Sequence, residues 1–102
     1  MGLGCLSPAP LPISLSWFMG NSGFALGFDQ PLEAAGLEPA NWTAYRNGKL
    51  FEFASVDADG SSVIATGTLT ATPAPSDHIE YAGGDSKLRG ASGVLVAPFG
   101  YP

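Results

Sequence analysis

The sequence predicts an all-β fold, a sandwich of about seven short antiparallel strands with extended arms at both ends. Fourteen Gly and nine Pro among 102 residues interrupt helices and favour turns. Short segments in which apolar and polar residues alternate recur along the chain, separated by turn signals. Hydrophobic residues make up 45% and charged residues 13%, which excludes a disordered chain and a charge-rich coiled coil. The length is that of one domain.

Two segments near the N-terminus alternate with a period of two, as strands with one buried face do. In each segment three large apolar residues are separated by small or polar ones: Ile13, Leu15 and Trp17 in the first, and Phe24, Leu26 and Phe28 in the second. Gly and Asn in residues 20–23 form a turn signal between them. We therefore expect residues 13–28 to form a hairpin, or two strands of facing sheets.

The middle of the chain combines a connector with a hairpin. Residues 32–39 contain helix formers interrupted by Gly36 and Pro39, which predicts a connector with one short helical turn. Residues 42–45 are expected to form the third strand and residues 50–56 the fourth. Asn47-Gly48 between them is the strongest short-range hairpin signal.

The C-terminal half contains the remaining predicted strands. Residues 57–60 are expected to turn, and residues 61–72 to form a long fifth strand with a row of threonines on its solvated face. Residues 78–81 predict a sixth strand and residues 94–99 a last one, after a Gly-rich loop over residues 83–93. About seven strands at this spacing are typical of a β-sandwich of immunoglobulin type, with a small closed barrel as the alternative.

Five short motifs occur in succession over roughly residues 13–99: Leu26-Gly27-Phe28-Asp29-Gln30-Pro31-Leu32, Asn41-Trp42-Thr43 with Asn47-Gly48, Gly67-Thr68-Leu69-Thr70, Asp77-His78-Ile79-Glu80-Tyr81 and Leu88-Arg89-Gly90-Ala91-Ser92-Gly93. This succession resembles the bacterial Ig-like repeats of surface and adhesin proteins, which also occur in phage virion proteins. The resemblance implies a non-catalytic Ig-like sandwich used for adhesion, spacing or particle decoration, and it implies no active-site residues. Arg89-Gly90-Ala91 stands where those repeats often have an acidic residue, so the resemblance implies no cation ligand in that loop.

The predicted organisation is an extended Pro-rich N-terminal arm over residues 1–12, a sandwich over residues 13–99 and a C-terminal tail over residues 100–102. Prolines at every second position from Pro8 to Pro12 favour an extended polyproline conformation, which makes no internal hydrogen bonds. We expect apolar side chains of the two ends to contact neighbouring subunits, namely Leu3, Leu6, Leu11, Phe99 and Tyr101. The alternative is that the ends dock on their own domain.

Catalytic and metal-binding chemistry is not expected. His78 is the single histidine and Cys5 the single cysteine, too few for a tetrahedral metal site, and the chain contains no Gly-x-Ser-x-Gly motif. We therefore predict a protein that is not an enzyme and has no catalytic residues, metal or cofactor. Residues 57–60 resemble part of a calcium loop, but the third oxygen ligand and the distal Glu are missing, so an acidic turn is the simpler interpretation.

The charge of the chain limits its partners. Four Lys and Arg residues against nine Asp and Glu give a net charge of −5. Nucleic acid and anionic membranes are bound through basic stripes, so neither is an expected partner. The apolar start of the chain lacks a basic segment and is interrupted by prolines, so we do not expect an export signal.

These observations predict a non-enzymatic structural protein, a bacteriophage virion component that decorates or cements a capsid or tail. It would assemble in the host cytoplasm, as a homo-oligomer or a lattice with other virion subunits. The alternative is a recognition module of adhesin type that binds carbohydrate or another ligand at a bacterial cell surface. That alternative predicts an exposed aromatic platform, which could include Trp17, Trp42 or Tyr45.

Overall fold

The computed structural model of the chain describes residues 9–101. These residues form eight strands: β1 (Pro12–Trp17), β2 (Gly23–Phe28), β3 (Ala35–Leu37), β4 (Trp42–Arg46), β5 (Lys49–Asp59), β6 (Ser62–Pro73), β7 (His78–Tyr81) and β8 (Phe99–Tyr101). Short 3-10 turns lie at Met19–Asn21 and Pro39–Asn41. All strand pairs are antiparallel, so the prediction of an all-β domain of short antiparallel strands is confirmed.

The strands form one hydrogen-bonded path in the order β1-β2-β6-β5-β4-β7-β8, with β3 paired to β5. The long β5–β6 hairpin belongs to both halves of this path. Its end near the turn pairs with β2 on one side and β3 on the other, through residues 62–66 and 56–58. Its opposite end pairs with β4 through residues 49–51. The hairpin is therefore the common element of two layers. The first layer consists of β1, β2 and β3 with the turn end of the hairpin, and the second consists of β4, β7 and β8 with its opposite end.

The β5–β6 hairpin is irregular where it passes between the two layers. Phe53 pairs with Gly67 and Ser55 pairs with Thr66, which leaves Ala54 as an extra residue. A bulge of this kind bends and twists its strand. A Cβ atom on residue 67 would collide with the carbonyl oxygen of Glu52, so only glycine allows the close approach seen here.

The two halves of the sheet face each other. The rings of Phe28 in β2 and Phe99 in β8 lie 5.8 Å apart, although these strands are far apart in the strand order. The guanidinium carbon of Arg46 in β4 lies 5.2 Å from the ring centre of Trp17 in β1. In residues 9–101 the path ends at β1 and β8, which do not pair. The sheet therefore folds over on itself rather than closing into a ring.

The core lies between these halves and is rich in aromatic side chains. Phe24 of β2 is fully buried and its ring centre lies 5.0 Å from that of Trp17 and 5.9 Å from that of Phe51. A second group joins Trp42, Tyr81 and Phe99, with the Trp42 and Tyr81 ring centres 5.0 Å apart. The predicted buried face of β2 is confirmed, since Phe24, Leu26 and Phe28 are all buried.

The Asn47-Gly48 turn is also confirmed. Both residues have positive φ angles, 55° and 73°, as a two-residue hairpin turn of type I′ requires. The turn joins β4 and β5, and β5 extends beyond the predicted residues 50–56 to Asp59. Residues 57–59, predicted as part of a turn, therefore lie in the strand.

The predicted buried face of β1 is wrong at Ile13. Leu15 and Trp17 pack against the core, but Ile13 is 60% exposed. The register shifts between Pro12 and Ser14, so Ile13 occupies an irregularity in the strand. A single inserted residue changes the alternation that the sequence pattern assumes.

Two further predictions are wrong. Residues 32–39 were expected to contain a helical turn, but Ala35–Leu37 forms a strand because β5 is long enough to offer it a pairing edge. The last strand is Phe99–Tyr101 rather than residues 94–99, and Leu95 makes only an isolated bridge with Arg89. Gly100, assigned to a tail, pairs with Glu80 of β7.

Candidate functional site

The most distinctive surface of the molecule follows from its charge distribution. All Asp, Glu, Lys and Arg residues lie in residues 29–59 and 77–89. Strands β1, β2 and β6 therefore contain no charged residue, and they are adjacent in the sheet. All charged residues lie in the rest of the domain, so β1, β2 and β6 form an uncharged side of the first layer.

Exposed apolar side chains concentrate on that side. Four large apolar side chains in residues 11–19 are exposed to solvent: Leu11 (57%), Ile13 (60%), Phe18 (37%) and Met19 (96%). These residues belong to β1 or immediately flank it. Several exposed large apolar side chains in one short segment are typical of an interaction site. We call β1 together with Leu11, Phe18 and Met19 the β1 edge.

The backbone of β1 also has an open side. Within residues 9–101, β1 pairs with β2 and with no other strand. The Phe18 N–H donates to the Gly23 carbonyl oxygen at 2.9 Å, which places the backbone groups of Phe18 toward β2. Because these groups alternate along a strand, those of Ser14 and Ser16 also point to β2, and those of Leu15 and Trp17 point away. The polar backbone groups of Leu15 and Trp17 thus face the open edge.

The described part of the predicted N-terminal arm docks on its own domain. Pro10 is fully buried, and its Cγ lies 3.1 Å from the position that a Cβ on Gly90 would occupy. Leu11 and Asp29 are joined by two hydrogen bonds, each of 3.0 Å, and one of these is accepted by the Asp29 carboxylate. Leu11 keeps its side chain exposed, whereas Leu3 and Leu6 lie outside the described residues.

The two C-terminal residues predicted to contact neighbours lie in β8. Phe99 is half-buried, and its ring contacts those of Phe28, Trp42 and Tyr81. Tyr101 is also half-buried and packs against the core. Both side chains therefore take part in the packing of this domain.

Of the three residues predicted for an aromatic platform, Trp42 is in the core and Trp17 is half-buried and packs against it. The side chain of Trp42 is 5% exposed, so its ring face is not available to a sugar. Tyr45 is half-buried in β4 and pairs with His78 and Leu50. The buried indole N–H of Trp42 has no hydrogen-bond partner within the described residues.

A shallow groove lies beside Trp42, under the 3-10 turn Pro39–Asn41. Its volume is about 380 Å³, and it is lined by Pro39, Ala40, Trp42, Thr43, Leu50, Phe51, Glu52 and Phe53. The groove lies where the pairing of β5 changes from β3 at residues 56–58 to β4 at residues 49–51, beside the 3-10 turn between β3 and β4. Sequence reasoning did not find this groove, because it depends on an interruption between two short strands.

Asp85 is a buried carboxylate that sequence reasoning also missed. It is 8% exposed and accepts hydrogen bonds from the Glu38 N–H at 2.8 Å and the Lys87 N–H at 2.9 Å. Its own N–H donates to the Tyr81 hydroxyl at 3.0 Å. Burial raises the pKa of Tyr81 above its ordinary value. Asp85 thus joins the Gly-rich loop, β7 and the segment before β4.

His78 and its neighbours lie on the exposed part of the second layer. His78 Nε2 is 3.5 Å from Glu80 Oε1. Asp77 accepts a hydrogen bond from the Asn47 N–H at 2.8 Å and lies 3.4 Å from Arg46 Nη1. The described residues hold no group of three or more His, Cys, Asp or Glu side chains placed to bind a metal ion. None of the helical segments in residues 9–101 has the length and apolar character needed to cross a membrane.

Arg89 and Glu33 form a bidentate ion pair that ties the loop after β7 to the segment after β2. The two hydrogen bonds are 3.0 and 2.8 Å long, and the Glu33 N–H also donates to the Arg89 carbonyl oxygen at 2.9 Å. The hydrogen bonds from Arg89 lower the pKa of Glu33 below its ordinary value of 4.5. Both side chains are largely exposed, so solvent weakens the pair.

We expect replacement of Glu33 with glutamine to cause a small, pH-dependent loss of stability. Because the pKa of Glu33 is lower in the folded state, its stabilising effect is complete above pH 4.5 and is lost as the pH falls through the folded-state pKa. Urea unfolding of the wild type and E33Q should show a difference in midpoint at neutral pH that shrinks in acid. A difference that does not change with pH would contradict this assignment.

The motifs that suggested a family lie in separate parts of the fold: Asn47-Gly48 forms the turn between β4 and β5, and His78–Tyr81 is β7. The segment from Leu88 to Gly93 lies in the loop that contacts Pro10 and Glu33. The Ig-like resemblance stays a prediction based on these motifs. No family model, curated protein or solved structure matches this chain.

Proposed function

We propose that this chain is a non-catalytic Ig-like structural subunit of a larger assembly, and that it decorates or cements the capsid or tail of a bacteriophage. The observation that carries the proposal is the β1 edge, where exposed apolar side chains and an open strand edge lie on the uncharged side of the domain. Natural domains usually protect such edges with charged side chains. The stretch of β1 over residues 14–17 lacks this protection, which is a reason to expect a neighbouring subunit.

The distribution of charge supports a role in close packing. A subunit that carries a net charge of −5 repels its neighbours unless the contact surfaces are uncharged. Here the charged residues lie in β4, β5, β7 and the segments around the strands, and β1 and β2 contain none. Arg46 and Asp29 contact β1 and its flank at Trp17 and at Leu11. A subunit could thus contact its neighbours through the first layer and present its acidic part to solvent.

The test is a protein inventory of particles purified by density gradient from cells that express this chain in its native context. We expect the chain in stoichiometric amounts relative to a major particle protein, at copy numbers that match a symmetric lattice or ring. Detection only in the soluble fraction, with no enrichment in any particle, would contradict the proposal. Light scattering on the purified protein measures its mass in solution in parallel.

A second candidate function, carbohydrate recognition at a cell surface, is favoured by the groove under Pro39–Asn41. Phe53 offers a half-buried aromatic side chain there, and Thr43 and Glu52 supply polar groups next to it. Aromatic faces flanked by hydrogen-bonding groups suit sugar rings. Glycan-array binding that is lost in Phe53→Ala and kept in Phe18→Ala would support this function, and no binding by the wild type would reject it.

A further inference from the structure

We infer that the β1 edge pairs with the β1 edge of a second copy of this chain, antiparallel and about a two-fold axis that passes through Ser16. This inference rests on the proposed structural role and names the surface and the partner for it. The resulting contact would join the first layers of two domains into one continuous sheet.

The backbone of β1 fits this register. The N–H and C=O groups of Leu15 and Trp17 point away from β2, as the Phe18 to Gly23 hydrogen bond establishes. With the axis at Ser16, Leu15 of one copy lies opposite Trp17 of the other, and the converse pair forms by symmetry. Each pair exchanges two N–H to C=O hydrogen bonds, so the contact gains four.

The exposed side chains fit the same register. Ile13 and Met19 are 60% and 96% exposed and lie three residues before and three residues after Ser16. A two-fold axis at Ser16 therefore brings Ile13 of one copy to the end of the strand pair where Met19 of the other copy lies. The two most exposed large apolar side chains near β1 would be covered by each other in two symmetric contacts.

The lack of charged side chains in β1 favours a second copy of the chain as the partner. Residues 9–28 contain no charged side chain, and the charged groups that contact them at Leu11 and Trp17, Asp29 and Arg46, have opposite signs. Pairing of two identical edges therefore brings no charged side chains of β1 against each other. The other short edge strands have acidic neighbours, since β3 pairs with Asp57 and β8 with Glu80. Two copies that each carry −5 approach best through the side that lacks charge.

Edge protection in β1 is confined to one end. Pro12 and the irregularity at Ile13 interrupt the N-terminal end of the strand. Residues 14–17 have neither proline nor charge and keep a regular register with β2. This regular stretch is the part that the proposed pairing uses.

Disulfide cross-linking of the full chain tests the register directly, in a Cys5→Ser background that removes the natural cysteine. With the axis at Ser16, the two copies of residue 16 form a non-hydrogen-bonded pair whose Cα atoms are about 4.5 Å apart. That distance is within the range a disulfide spans. Ser16→Cys should therefore give a covalent dimer under mild oxidation.

Ser14→Cys is the matched control. Ser14 is exposed, and its backbone points to β2 as that of Ser16 does. In the proposed register, however, the two copies of residue 14 are offset by four residues, about 13 Å along the strands. Equal cross-linking of S14C and S16C, or none with S16C, would overturn the proposed pairing.

A second measurement distinguishes the partner. Hydrogen exchange at the Leu15 and Trp17 amides should be slow in concentrated samples and fast after dilution to monomer. Ser16→Lys places like charges opposite each other and should weaken the dimer several-fold, whereas Ser86→Lys, with the same charge change in an exposed loop, should not. Slow exchange of both amides in a monomer would overturn the proposal, because the chain would then cover its own edge.

The outcomes separate this inference from the proposed function. Equal incorporation of the wild type and S16K into particles, without an S16C cross-link, would support the structural role and reject the β1 pairing. Formation of the S16C cross-link, together with absence of the protein from every particle, would support the β1 pairing and reject the role in a virion.

Discussion

Asp85→Ala is expected to lower the free energy of unfolding by about 3 kcal/mol, because it leaves two backbone N–H groups without an acceptor. These are the N–H groups of Glu38 and Lys87, which bind the carboxylate at 2.8 and 2.9 Å. Asp85 is 8% exposed, so water replaces these bonds poorly. Chemical denaturation at neutral pH measures the loss as a change in midpoint at constant slope.

Two further variants make the interpretation specific. Asp85→Asn keeps one acceptor oxygen and should lose roughly half as much stability as the alanine variant. Asp59→Ala removes an exposed carboxylate from the end of β5 and should change stability by less than about 0.5 kcal/mol. Equal losses of stability in Asp85→Ala and Asp59→Ala would contradict the stabilising role that the hydrogen bonds assign to Asp85.

Phe24→Ala is expected to be the most destabilising single truncation in the core, with a loss of about 3–5 kcal/mol. Phe24 is fully buried, and its ring contacts those of Trp17, Phe51 and Phe53. Truncation removes its buried area and leaves a cavity at the centre of this group. The thermal midpoint and the denaturant midpoint should both fall sharply.

Phe18→Ala is the matched control for this truncation. The two residues are of the same type, but Phe18 is 37% exposed and lies outside the aromatic group. We expect the control to lose much less stability than Phe24→Ala, because a partly exposed ring leaves no closed cavity. A similar loss in both variants would contradict the central position assigned to Phe24.

The regular strands could be predicted because their patterns are local. Phe24, Leu26 and Phe28 alternate without interruption, and β2 buries all three. Asn47 and Gly48 tolerate the positive φ angles of their turn, so that turn is specified by two adjacent residues. β7 also lies where its alternation predicts it, at His78–Tyr81.

The irregular elements could not be predicted because distant strands create them. Ala35–Leu37 has little strand character of its own and pairs because β5 extends past Val56. Phe99–Tyr101 forms β8 where β7 offers an edge, and the more hydrophobic residues 94–96 remain in a loop. The shift at Ile13 likewise depends on how β1 meets β2.

The candidate interface was only partly accessible from sequence. The absence of charge before Asp29 can be read directly from the residues. That β1 lies at an edge cannot, because different strand orders bury the same alternating faces. Trp42 shows the same limitation, since its position in β4 permits either an exposed or a buried ring and the structure buries it against Tyr81.

The sharing of the β5–β6 hairpin between the two layers has a consequence for how the chain folds. The hairpin closes through a short turn at Gly60 and Ser61, so it can form from contacts that are close in sequence. β2 and β4 then add to opposite ends of one preformed hairpin, and β1 and β8 follow. Substitutions at Val63 should slow folding, whereas those at Tyr101 should mainly speed unfolding. Neither layer has a nucleus of its own, so the domain should fold in a single cooperative transition.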